Sequence, residues 1–173
     1  VIHTRWAITL PDLTAKEAAA LHTIIDALRE GDGSEDEDNV NFDRWVKVFG
    51  LATYPEDFRG IQFVFTALPV KIVTDPPLPP DSSGLSATVF SDGDGDPQSA
   101  GTLIQRWLEM AESNRVVAIV WAEYSDENVP GSNGGGYGVV SRRPDASVWL
   151  FLNEAVEDAR SLVLGRLERR TVR

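Results

Sequence analysis

A proline-rich segment, Asp75-Pro76-Pro77-Leu78-Pro79-Pro80-Asp81, divides the chain, and the same order of elements reads on both sides of it. Proline fixes φ and lacks an amide donor, so such a run stays out of helices and sheet interiors. It reads as a connector between two halves, 1–74 and 86–173, each opening with a strand that leads into a capped amphipathic helix. That repeated order constrains the fold more than any single motif does.

In the first half, His3 to Leu10 alternates, with Trp6, Ile8 and Leu10 on one side, and Pro11 is expected to end the strand. Thr14-Ala15-Lys16-Glu17 fits a capping box. The threonine hydroxyl accepts from the amide three residues on, while the glutamate reaches back to the cap. Ala18, Leu21, Ile24, Ile25 and Leu28 form one helical stripe, and Gly31 is the expected stop. Arg44 to Thr53, with Trp45, Val46, Val48, Phe49 and Leu51, reads as a strand buried on both faces. Ile61 to Ala67 reads as another, and Val70 to Val73 as a short one.

The second half opens with a strand at Ser86 to Phe90. Asp96-Pro97 supplies an N-cap and first helical residue, followed by the stripe Ala100, Leu103, Ile104, Trp107, Leu108 and Ala111. Val116 to Tyr124 is the most apolar strand and is expected at the centre of its sheet. Gly136 to Ser141 and Ser147 to Leu152 are the next two, joined through Pro144-Asp145. Asn153 can cap a last helix that starts acidic, at Glu154, Glu157 and Asp158, and ends basic, at Arg166, Arg169, Arg170 and Arg173. The expected fold is α+β: two βαββ-like halves forming a mixed or antiparallel sheet with helices packed on one face.

At 173 residues the length suits a single compact domain. Cysteine is absent, which excludes disulfides, thiolate nucleophiles and sulfur-ligated metals within this sequence. No apolar run approaches the roughly 18 residues of a membrane span, and no signal pattern follows Val1. A cytoplasmic location and no membrane partner are the expectations, with a leader removed before Val1 left open.

The charge is strongly acidic and unevenly placed. Sixteen Lys and Arg face 27 Asp and Glu, for a net charge of −11, and eight carboxylates stand between Asp26 and Asp43 with a single arginine. An acidic surface disfavours direct nucleic-acid contact and favours cationic partners. Glu30, Asp32, Glu35, Asp36, Glu37 and Asp38 are therefore candidate contacts for a basic protein surface, with Tyr137 as an aromatic contact in the glycine-rich segment that follows Pro130.

A second acidic run, Asp92-Gly93-Asp94-Gly95-Asp96, places alternate carboxylates in a loosened turn where Asp92, Asp94 and Asp96 can converge on calcium or magnesium. It departs from the helix-loop-helix calcium motif, with Pro97 at the position of the turn glycine and Leu103 at that of the bidentate glutamate. The same residues also serve as a strand-to-helix turn and cap. The glycine segment lacks Gly-Lys-Ser/Thr and leads into a strand, so it reads as a connection rather than a phosphate cradle. His22 and Asp26 share a helix face, and Glu123, Asp126 and Glu127 follow the apolar strand. Neither set forms a catalytic signature, and no Gly-x-Ser-x-Gly elbow occurs. The five tryptophans, Trp6, Trp45, Trp107, Trp121 and Trp149, fall in core positions, with Trp45 and Trp149 expected to line a second sheet face.

The leading expectation is a non-enzymatic acidic module that masks a basic surface on a partner, of inhibitor, immunity or nucleic-acid-mimic type. The alternatives are a divalent-metal-dependent enzyme or cation-controlled module built on the aspartate turn, and a homo-oligomeric or particle subunit.

Overall fold

The computed structural model describes residues 2–32, 42–50, 52–68, 80–93, 95–125 and 134–151. Among the described residues, six strands and three α-helices follow one another as β1 (Ile2–Thr14), α1 (Ala15–Asp32), α2 (Phe42–Phe49), β2 (Gln62–Ala67), β3 (Ser82–Gly93), α3 (Pro97–Met110), β4 (Val117–Ser125), β5 (Gly134–Val140) and β6 (Val148–Phe151). Short 3-10 turns lie at Pro55–Phe58 and Pro144–Ala146. The mixed α/β expectation holds at that level. Glu35, Asp36, Glu37, Asp38 and Asp94, the strand at Val70 to Val73 and the helix after Asn153 lie outside the described residues.

All six strands form one antiparallel sheet in the order β2-β3-β1-β4-β5-β6. Two β-α-β units interleave in it: β3 lies between β1 and β2, and β1 lies between β3 and β4. This is the split, ferredoxin-like connectivity, extended at one edge by β5 and β6. The proline-rich segment consequently joins two strands that pair directly, from Gln62↔Phe90 to Ala67↔Leu85.

β1 runs through the middle of the sheet. Trp6, Ile8 and Leu10 are buried on its inner side, while Arg5, Ala7 and Thr9 are exposed on the outer side. Pro11 does not end it. The strand passes through a register shift between Leu10 and Leu13, where Asp12 takes φ 44°. A bulge tolerates proline because the ladder is already interrupted there.

Both capped helices form where the sequence places them. Glu17 N donates to Thr14 Oγ1 (3.1 Å) and Thr14 N donates to Glu17 Oε2 (2.9 Å), closing the capping box of α1. The helix passes Gly31 by one residue. Ser99 N donates to Asp96 Oδ2 (2.7 Å) at the start of α3. Leu21, Ile24, Leu103, Ile104, Trp107 and Leu108 are wholly buried where these helices cover the inner face. Each such side chain contributes about 1.5–3 kcal/mol of transfer free energy.

The stretch expected as a strand from Arg44 to Thr53 begins instead as α2. Trp45, Val48 and Phe49 fall at i, i+3 and i+4, and Lys47 is exposed between them. A short apolar run satisfies either period, and the helix buries its stripe against the chain already packed nearby. Trp45 therefore belongs to the core rather than to a second sheet face: its ring lies 4.4 Å from Phe49 and 6.1 Å from Phe58, and its Nε1 donates to Thr53 O (2.8 Å).

Trp149 also departs from expectation, facing the helices. A Cβ at Gly101 of α3 would lie 2.3 Å from its ring, and one at Gly138 of β5 would lie 2.5 Å away. The two glycines thus form the seat on which β6 docks, and Trp121 closes it at 5.9 Å from Trp149 and 5.6 Å from Phe151. β5 begins at Gly134, two residues before the expected Gly136, so Gly134 and Gly135 belong to the strand rather than to the connection.

Candidate functional site

Of the acidic candidates, Glu30, Asp32, Asp92 and Asp96 fall within the described residues. Glu30, near the end of α1, pairs with Arg44 of α2 (2.5 Å), and Asp26 one turn earlier lies 3.8 Å from the same guanidinium. Asp32 is the last residue of α1. The Asp26 and Glu30 side chains are thus partly engaged in holding α1 against α2.

Asp92 stands in β3, in register with Arg5 of β1, and the exposed Asp96 uses one carboxylate oxygen to cap α3. Among the described residues, no group of three metal-ligating side chains assembles. His22 stacks on Phe65 with ring centroids 4.4 Å apart and an interplanar angle of 16°. Glu123 accepts from Trp121 Nε1 at 3.3 Å.

The most densely bonded carboxylate is one to which the sequence assigned only a cap. Glu17 is 3% exposed. Its Oε1 accepts from Ser113 Oγ (2.6 Å) and Arg115 Nε (2.7 Å), while its backbone oxygen accepts from Trp107 Nε1 (2.8 Å). Arg115 also donates to the carbonyls of Pro11 (2.9 Å) and Asp12 (2.5 Å) in the bulge of β1. Burial raises the Glu17 pKa, but the bonds from Arg115, Ser113 and Thr14 outweigh it and hold the group below the ordinary carboxylate range. A carboxylate so satisfied and so firmly ionised is a structural node joining β1, α1, the end of α3 and the start of β4.

A different surface is left open. Along β4, Val117, Ile119 and Trp121 point inward, and Ala118, Val120 and Ala122 are exposed on the outer face. Tyr137 of β5 lies opposite Val120, and Val139 lies between Ala118 and Val148 of β6. Val116, just before β4, is 66% exposed, Val120 64%, Val148 51% and Tyr137 45%. None of these outward positions carries a charge, in a chain of net charge −11. Tyr137, singled out as a contact residue, therefore sits within a three-stranded apolar patch.

The sequence concealed that patch because β4 is apolar at nearly every position, which reads as burial on both faces. The outer face of the β2-β3-β1 flank is more polar, with Gln62, Thr66, Thr88, Arg5 and Thr9 outward, although Ala7 and Val64, the latter 49% exposed, also stand there. Comparison with protein families, curated proteins and solved structures finds no match to this chain. No described helix is long and apolar enough to cross a membrane.

Proposed function

We propose that this chain is a non-enzymatic protein-binding module whose contact surface is the outer face of β4, β5 and β6, with Tyr137 and Val120 at its centre. The observation that carries the reading is the concentration of exposed, uncharged aliphatic and aromatic side chains on adjacent strands. Patches of this kind mark interaction sites, and tyrosine supplies large contact area with a polar tip. The partner it fits has an apolar centre and a basic rim. The excess of carboxylates, including the candidates Glu35, Asp36, Glu37 and Asp38, would accelerate encounter with such a partner, while the apolar patch would supply affinity. Inhibitor, immunity and nucleic-acid-mimic types fall within this reading.

A photo-crosslinking amino acid at position 137, compared with the same group at position 88, tests the reading in extract of the source cell. Capture of one basic protein from position 137 alone is the expected outcome. Equal capture from both positions, or none, refutes the contact face. Capture of a second copy alone converts the reading to the homo-oligomer. The cation-module alternative requires Asp96 to ligate an ion while capping α3, and metal-dependent stabilisation lost in Asp94→Asn is the result that would favour it.

A further inference from the structure

A groove of about 560 Å³ opens between the end of α1, the Pro55–Phe58 turn and the edge strand β2. Its walls are amphipathic. Ile25 and Phe58 are buried, Leu28, Ile61 and Phe63 are half-buried, and Arg29, Arg59, Glu56 and Gln62 are exposed at the rim. Phe58 is fixed from behind by Phe49 at 5.0 Å and Trp45 at 6.1 Å, so the floor rests on a cluster of tilted aromatic rings. The turn that follows takes φ +77° at Gly60, with Ile61 N donating to Phe58 O (3.2 Å), and it sets Arg59 and Ile61 on the same groove.

Two cations stand on the rim of this groove. Lys16, Arg44, Arg106, Arg115 and Arg143 each pair with a carboxylate. Arg29 and Arg59 make no ion pair among the described residues, as Lys47 and Arg142 do not, but they alone of these line the groove. Glu56 on the same rim is likewise unpaired, which leaves one net positive charge over an apolar floor.

We propose that this groove binds a small organic carboxylate with an aliphatic or aromatic body. Guanidinium groups match a carboxylate in fork geometry, and the tail would lie on Phe58, Ile61 and Phe63. The volume falls within the roughly 300–1,000 Å³ typical of small-molecule sites. Glu56 disfavours a dianion such as phosphate, because like charge beside the ligand offsets the second arginine. The groove shares no residue with the outer-face patch of β4–β6, so the two sites stand or fall separately.

Sodium octanoate, added below its micellar range to the full chain, is the probe, read by amide chemical shifts. The expected result is saturable shifts at Ile25, Leu28, Ile61 and Phe63, with acetate and octanol binding about tenfold more weakly, since each lacks one half of the recognition. The double variant Arg29→Gln/Arg59→Gln should bind octanoate about tenfold more weakly or worse, with an unchanged unfolding midpoint. Absence of saturable shifts, octanol binding as tightly as octanoate, or undiminished binding by the double variant overturns the proposal. Position 137 crosslinking is unaffected by any of these outcomes.

Discussion

The two flanks of the sheet are finished differently. On one, β1 and β3 are covered within by α1, locked by the Glu17 network, and present a largely polar outer face. On the other, β5 and β6 are held by the seating of Trp149 on Gly101 and Gly138, and the outer face presents Val120, Tyr137 and Val148 to solvent. A flank that satisfies its polar groups internally and shows water a polar surface is complete. One that leaves adjacent aliphatic residues exposed still has apolar area to bury, and association is the route by which such area is removed from water.

The contrast is broken most severely at the first flank. Glu17→Ala removes the acceptor for Ser113 and Arg115 and should cost about 3 kcal/mol, measured by denaturant unfolding. Its pH dependence has a definite sign. Because the folded pKa of Glu17 is lowered, its contribution is present above the unfolded value near 4.5 and is lost as pH falls through the lower folded value. The acid limb of the stability profile should therefore flatten in Glu17→Gln, and an unchanged limb would show that the node titrates as it does in the unfolded chain.

The second flank should be broken by volume rather than charge. Alanine for glycine inside a helix ordinarily gains about 1 kcal/mol. At Gly101 the added Cβ meets the Trp149 ring at 2.3 Å, so Gly101→Ala should instead lose about 1–2 kcal/mol and raise the accessibility of Trp149 to a fluorescence quencher. A gain in stability would mean that β6 can shift without loss. Asp96→Ala, which touches neither flank, should cost about 1 kcal/mol through the lost cap.

The smallest thermodynamic effect carries the functional contrast. Val120→Asp and Thr9→Asp both add a charge to exposed outer-face positions, and each should change stability by no more than about 0.5 kcal/mol. Only Val120→Asp should abolish crosslinking from position 137 and lower binding of an apolar fluorescent dye. Equal behaviour of the two variants would erase the distinction between the flanks.

The legible parts of this fold were those encoded within a few residues. Thr14 with Glu17, and Asp96 with Pro97, announce helices because caps act through bonds three residues long. The alternation of Trp6, Ile8 and Leu10 announces a half-buried strand. The segment around Trp45 misled because an apolar run of that length fits both periods, and β4 misled because an all-apolar strand carries no mark of which face meets water. The groove was invisible: its walls come from Ile25 to Arg29 and from Pro55 to Phe63, which the sequence does not connect.

The sequence by itself determined the capped helices, most strand positions, the absence of thiol chemistry and the acidic field, since these depend on residue type and near neighbours. Only the tertiary structure decided that β1 lies between β3 and β4, that Glu17 meets Arg115 across the fold, and that Tyr137 and Val120 share an open face. Strand order and long-range pairing follow from which apolar surfaces can cover one another in three dimensions, and that competition involves the whole chain at once.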